Sequence, residues 1–228
     1  MFRFALLLML AVFGLWVTLS LSPYQMRVAA QVGLAQGAAP SLPHTETLAA
    51  PPEAAALIRA AKGQVGVVTL YDPAYVALDF PGGDVAPERG VCTDVLIRAL
   101  RVAHGIDLQA AVNRDMKANF AKYPKNWGLK TTDRNIDHRR VPNLMRFMDR
   151  MGATVTDDFL PGDVVTVMLP GNLPHIMVIS DRMGTKDPQI VHNIGAGTQV
   201  EDRLFDFPHT GHYRLTPQVL ARMRALLN

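Results

Sequence analysis

From Cys92 onward, apolar or small residues recur at Val95, Leu96, Ala99, Leu100 and Ala103, while Thr93, Asp94, Arg98 and Arg101 fall between them. Steps of three and four predict a helix with one buried face, closed by His104–Gly105. Residues 52–61, "PEAAALIRAA" with its flanking Pro, predict a short helix ended by Gly63. Similar spacing predicts a helix from about Leu108 to Phe120 and another from Val141 or Pro142 to Met151, stopped by Gly152. The pattern then changes. Two β-prone runs, Val164 to Leu169 and His175 to Ser180, flank Pro170–Gly171–Asn172 and predict a hairpin. "PQIVHNIG" predicts the next strand and "GHYRLT" another, and Pro217 opens a closing helix to Leu227. Shorter β-prone pieces, Val67 to Tyr71 and Tyr75 to Phe80, sit among Asp–Pro and Pro–Gly–Gly punctuation. Helices first and a run of antiparallel strands afterwards make the fold class α+β.

The amino terminus follows another logic. Phe4 to Leu21 is an apolar run behind Arg3, and small residues at Val28–Ala29–Ala30 permit cleavage after Ala30. Residues 1–30 are therefore expected to be a signal peptide or signal anchor, with 4–21 nearly long enough to stay as a membrane tether. The expected location is the periplasm or cell envelope. Residues 31–52, rich in Ala and Pro without a sustained period, predict a linker, leaving 53–228 as one domain.

Composition adds less. The 228-residue chain carries a formal charge of +3, with basic residues gathered between 114 and 146. There Arg114, Lys117, Lys122, Lys125, Lys130, Arg134, Arg139, Arg140 and Arg146 face only Asp115, Asp133 and Asp137, which predicts a solvated face before it predicts an anion-binding one. No nucleic-acid motif is visible, and no cofactor is expected.

One residue type changes the picture. Cys92 is the single cysteine, and an exported chain gains no internal disulfide from it. Its place in the first turn of a helix favours a thiolate, through unpaired amides and the positive end of the helix dipole. Core packing is the competing explanation, since Cys92 shares a face with Val95, Leu96 and Ala99. An oxidising compartment, however, makes an unpaired thiol a liability unless it is shielded or used.

A thiolate nucleophile needs a base, and the base an orienting partner. Of seven histidines, His44 lies in the linker, while His104 and His138 are expected at the surface. His209 and His212 flank Thr210–Gly211 with no spacing that demands a site. His175 opens a strand and His192 lies in the next, so the two meet if Ile179 pairs near Pro188 with 181–186 as the loop. Strand alternation forbids His192 and Asn193 from serving one face together.

"YDPAYVALDFPGGDVAPERGVCTDV", "NIDHRRVPNL", "PGDVV", "LPHIMVISD" and "IVHNIGAG", spread over about residues 55–215, together resemble a family of exported bacterial proteins known as a domain of unknown function and related to the NlpC-type papain-like cysteine hydrolases. The resemblance implies a papain-like core, with a nucleophile helix packed on an antiparallel sheet. It implies Cys92 as nucleophile, His175 as base and His192 as the residue orienting it. It also implies a thiol amidase or peptidase acting through a thioester on peptidoglycan peptide stems or related amides. Better-known members carry Asp before the cysteine and Ser–Gly after it; here Val91 precedes and Thr93–Asp94 follow. Two rivals remain: a module that binds cell wall or an envelope partner without turnover, and a metal site using Cys92, His175, His192 and a further histidine.

Overall fold

The computed structural model describes residues 46–228. The expected signal or anchor, its tether at 4–21, most of the linker and His44 lie outside the described residues. The order is α1 (Pro52–Lys62), β1 (Leu70–Tyr71), β2 (Arg89–Gly90), α2 (Cys92–His104), α3 (Leu108–Ala118), α4 (Val141–Arg150), β3 (Val164–Leu169), β4 (Leu173–Met183), β5 (Pro188–Asn193), β6 (Thr198–Glu201), β7 (His209–Tyr213) and α5 (Pro217–Ala225). Short 3-10 turns cover Phe120–Lys122 and Asp137–Arg139.

Local chemistry sets the helix ends. Asp107 caps α3 by accepting the amides of Gln109 and Ala110, and Thr216 caps α5 through the amide of Val219. At the far end of α2, Gly105 takes a left-handed φ of 63°, so that its amide donates to the Arg101 carbonyl and that of Ile106 to the Leu100 carbonyl. Gly171 and Asn172 have φ of 81° and 59°, the left-handed backbone the predicted hairpin turn requires.

Five strands form one antiparallel sheet in the order β6-β5-β4-β3-β7. Its two faces differ. One carries Val164, Ile176, Val178, Val191 and Tyr213 into the main core with Leu96 and Leu100 of α2, Leu57 of α1, Phe147 of α4 and Leu220 of α5. The other gathers Val165, Val167, Met177, Ile179 and Ile190 under Leu204, Phe159 and Phe207. With helices on one face and irregular chain on the other, the architecture is the expected α+β.

Several expectations change. Ile179 pairs with Ile190, and Pro188 with Met183, because a bulge lets β4 run on to Met183 before Gly184 donates to Asp187. The loop is accordingly shorter than 181–186. Of the early β-prone pieces only Leu70–Tyr71 forms a strand, parallel to Arg89–Gly90. Tyr75 to Phe80 forms none; the Leu78 amide instead donates to Asn135 Oδ1 at 2.9 Å. The strand β6 is additional to those expected. His138 and Arg139 are buried, at 2% and 7% exposure, so neither belongs to a solvated basic face. Arg114, Lys117, Lys122, Lys125, Lys130, Arg134 and Arg146 are exposed.

Candidate active site

Cys92 is the first residue of α2, delivered by the short β1–β2 pairing. Gly90 fits closely here: a Cβ there would lie 3.3 Å from Asp94 Cβ and 3.4 Å from Val68 Cγ1, so a side chain would have to push these neighbours aside by a few tenths of an ångström. The Gly90 carbonyl accepts from the Asp72 amide and from Asn193 Nδ2, both at 3.1 Å, tying the cysteine loop to the end of β5. The Cys92 sulfur faces the backbone amides of Ile176, Thr93 and Cys92 itself, all of which favour a thiolate. Burial outweighs them and, aided by nearby Asp94, pushes the thiol up to about 12. At rest Cys92 is therefore a protonated thiol.

The two histidines meet. His175 Nε2 lies 2.9 Å from His192 Nδ1, the rings edge to face, with centroids 5.1 Å apart. His192 Nε2 continues the chain to Glu201 Oε2 at 2.5 Å. Three neighbouring strands, β4, β5 and β6, contribute one member each. The hydrogen bond from His192 is the first cause that holds the Glu201 carboxyl below its ordinary range, with Arg203 adding to it. His175 is held well below the usual histidine range, by burial first and then by His192 and Arg203. It rests as a neutral imidazole.

Alternation decides how thiol and imidazole relate. Ile176 packs in the helix-side core with Cys92, so His175 points to the other face, as do His192 and Glu201 beside Ile190. Among the described residues no hydrogen bond joins Cys92 to either imidazole. The β4–β5 ladder, however, ends at Val178↔Val191, so beside His175 and His192 these two strands no longer pair with each other, although His175 still pairs with Val167 and His192 with Gln199. The thiol reaches this open end and touches the backbone one residue from His175. The structure thus joins the two histidines to each other and brings Cys92 next to their strand end. Asn193, the other candidate for orienting the base, faces the helix side and holds Gly90 instead.

Thr93 and Asp94 now have a role. Asp94 Oδ2 accepts the Val91 amide at 2.7 Å, capping α2, and both its oxygens bind the Arg139 guanidinium at 2.8 and 3.0 Å. Thr93 Oγ1 donates to the Arg139 carbonyl at 3.2 Å. Arg139 also donates to the carbonyls of Asp72 and Ala74. The "VCTD" and "DHRR" stretches are thereby one buried unit around the start of α2. Glu201 and Arg139 are the residues that sequence reasoning passed over. Glu201 had one signal, an acid at the end of a short β-prone run after Gly195 and Gly197; Arg139 had none beyond its neighbours.

Elsewhere, His212 binds Asp163 at 2.7 Å and His209 the Leu204 carbonyl at 2.8 Å, away from Cys92. Among the described residues no three of His, Cys, Asp and Glu are placed to hold a metal ion.

The family model described as "Domain of unknown function (DUF1287)" matches residues 58–215. The chain is 51% identical over 167 residues to "Uncharacterized protein YijF" of Escherichia coli (strain K12), covering 70% of this chain and 80% of that one. No solved structure matches.

Proposed function

The chain belongs to the DUF1287 family, and from that premise and the geometry above we propose that it is a thiol-dependent amide hydrolase of papain-like type, related to the NlpC-type enzymes. One observation carries the reading. The sulfur of Cys92 faces two backbone amides at a helix start and that of Ile176, the chain neighbour of His175, which heads a His175–His192–Glu201 relay. In the reaction, once substrate binding has turned the Cys92 side chain past the β4 backbone toward His175, Cys92 gives its proton to His175 Nδ1, and the sulfur attacks the amide carbonyl carbon. The C–N bond breaks as the amine leaves with the proton from His175. Water then adds to the thioester, hydrolyses its C–S bond and restores the thiol. Amides at the helix start stabilise the oxyanion, worth about 3 kcal/mol per donor. Because thiol and imidazole both rest neutral and buried, proton transfer belongs to the substrate-bound state. Together with the amino-terminal signal expected from the sequence, this reading makes the proposed substrate the peptide stem of peptidoglycan or a related envelope amide.

The burial of Cys92, at 6% exposure, and its raised pKa favour a second reading, a domain that binds such peptides without turnover. Mass spectrometry of purified peptidoglycan incubated with the full-length protein and with Cys92→Ala separates the two. The hydrolase reading expects new amine and carboxyl ends, reduced on the order of 10⁴-fold or more in the variant. Release that survives the substitution sinks it. Retention of peptides by both proteins, with no cleavage by either, supports the binding module.

A further inference from the structure

The relay holds more information than its distances. An ionised carboxylate only accepts hydrogen bonds, so the 2.5 Å contact from Glu201 Oε2 requires a proton on His192 Nε2. A neutral imidazole protonated at Nε2 presents Nδ1 as an acceptor. That Nδ1 lies 2.9 Å from His175 Nε2, which must then carry its own proton. A neutral His175 protonated at Nε2 keeps its lone pair on Nδ1, the nitrogen outside the relay. The alternative runs in reverse. Were His192 to carry a proton on Nδ1, it would donate to His175 Nε2 and move the His175 proton to Nδ1, leaving no base there.

We propose that Glu201 is a positioning residue that sets the tautomers of both His192 and His175 and thereby leaves the lone pair of His175 on Nδ1. Its consequence for turnover rests on the hydrolase reading above; the tautomer assignment does not. A carboxylate at the end of β6 thus reaches across β5 to determine which nitrogen of a β4 residue can take a proton. A simple structural pair between Glu201 and His192 would pin β6 to β5 and predict nothing about His175.

The test is long-range ¹H–¹⁵N correlation of the full-length protein labelled with ¹⁵N-histidine, which distinguishes Nδ1–H from Nε2–H rings. The wild type should show His175 and His192 each protonated on Nε2. Glu201→Gln, whose amide can donate as well as accept, should show mixed tautomers at both. On peptidoglycan it should lose up to about 10⁴-fold in kcat, the loss that goes with a triad held in the wrong tautomer, at unchanged KM. Glu201→Asp, still acceptor-only, should keep the wild-type tautomers and recover most of kcat; should Glu201→Gln not fold, Glu201→Ala, which removes the acceptor, takes its place with the same expected mixing of tautomers. A His175 protonated on Nδ1 in the wild type, or wild-type tautomers in Glu201→Gln, overturns the proposal. If the tautomers are as stated and the wild type cleaves nothing, the hydrolase reading fails while the assignment to Glu201 stands.

Discussion

His138 shows what burial does to one side chain. It is 2% exposed on the 3-10 turn Asp137–Arg139, and its Nδ1 has no hydrogen-bond partner. Burial first, then the charge of Arg139, lowers it to about 4 from an ordinary 6.5. The sign follows from linkage. The unfolded chain takes up a proton on this residue near 6.5, whereas the folded one resists until about 4. The stability it protects is whole above pH 6.5, falls by about 1.4 kcal/mol per pH unit below it, and is lost once pH drops through 4, about 3 kcal/mol in all. His175 is depressed by the same cause and pushes in the same direction. Urea unfolding at pH 7.5, 5.5 and 4 should record this slope, and His138→Gln should flatten part of it; an unchanged slope in that variant removes His138 as a source. A histidine beside two arginines in the sequence reads as surface, and only the packing around it says otherwise.

Among the elements, α2 depends most on what lies beyond its own residues. Its span, Cys92–His104, follows from local spacing and from Gly105, and the sequence predicts both ends correctly. Its start is also held by Asp94, which caps the helix and neutralises a guanidinium 46 positions away in the chain from Thr93, the residue whose hydroxyl binds the same loop. Asp94→Ala removes the cap and leaves the Arg139 charge buried without a partner. The expected loss is about 3–5 kcal/mol in urea unfolding at neutral pH. Adding Arg139→Met should return part of that stability, because the stranded charge goes with it; a double variant no more stable than Asp94→Ala counts against the charge as the cause. The strand β6 shows the opposite limit of legibility. Four residues, Thr198–Glu201, are too few for a period to declare itself, and their pairing with Ile190–Asn193 makes them a strand. The register of β4 on β5 is two residues from the expected one for a similar reason: the bulge that extends β4 has no local signature.

For the molecule as a whole, the sheet is covered by helices on one face, and α5 completes that cover. It lies beyond the family match, which ends at 215, yet it buries Val219, Leu220 and Met223 in the same core as Cys92. Arg222 donates to the Met151 carbonyl, and Arg114 of α3 reaches the Leu226 carbonyl. Removing residues 217–228 takes away three buried apolar side chains worth about 1.5–3 kcal/mol each and exposes the core surface they cover. A chain ending at 216 should melt well below the full-length protein and bind a hydrophobic dye; an unchanged melting temperature would mean α5 is not part of the cooperative core. By itself the sequence determines the helices, the β3–β4 hairpin, the α+β class and the candidates Cys92, His175 and His192, because periodicity, caps and turn residues act over a few neighbours. Only the tertiary structure decides that Arg139 braces the cysteine helix, that His138 is buried, that Asn193 faces away from the histidines and that Glu201 ends their relay. Each of these depends on strand register or on contact between residues far apart in the chain, and no local spacing encodes which distant side chain a sheet face or helix start will meet.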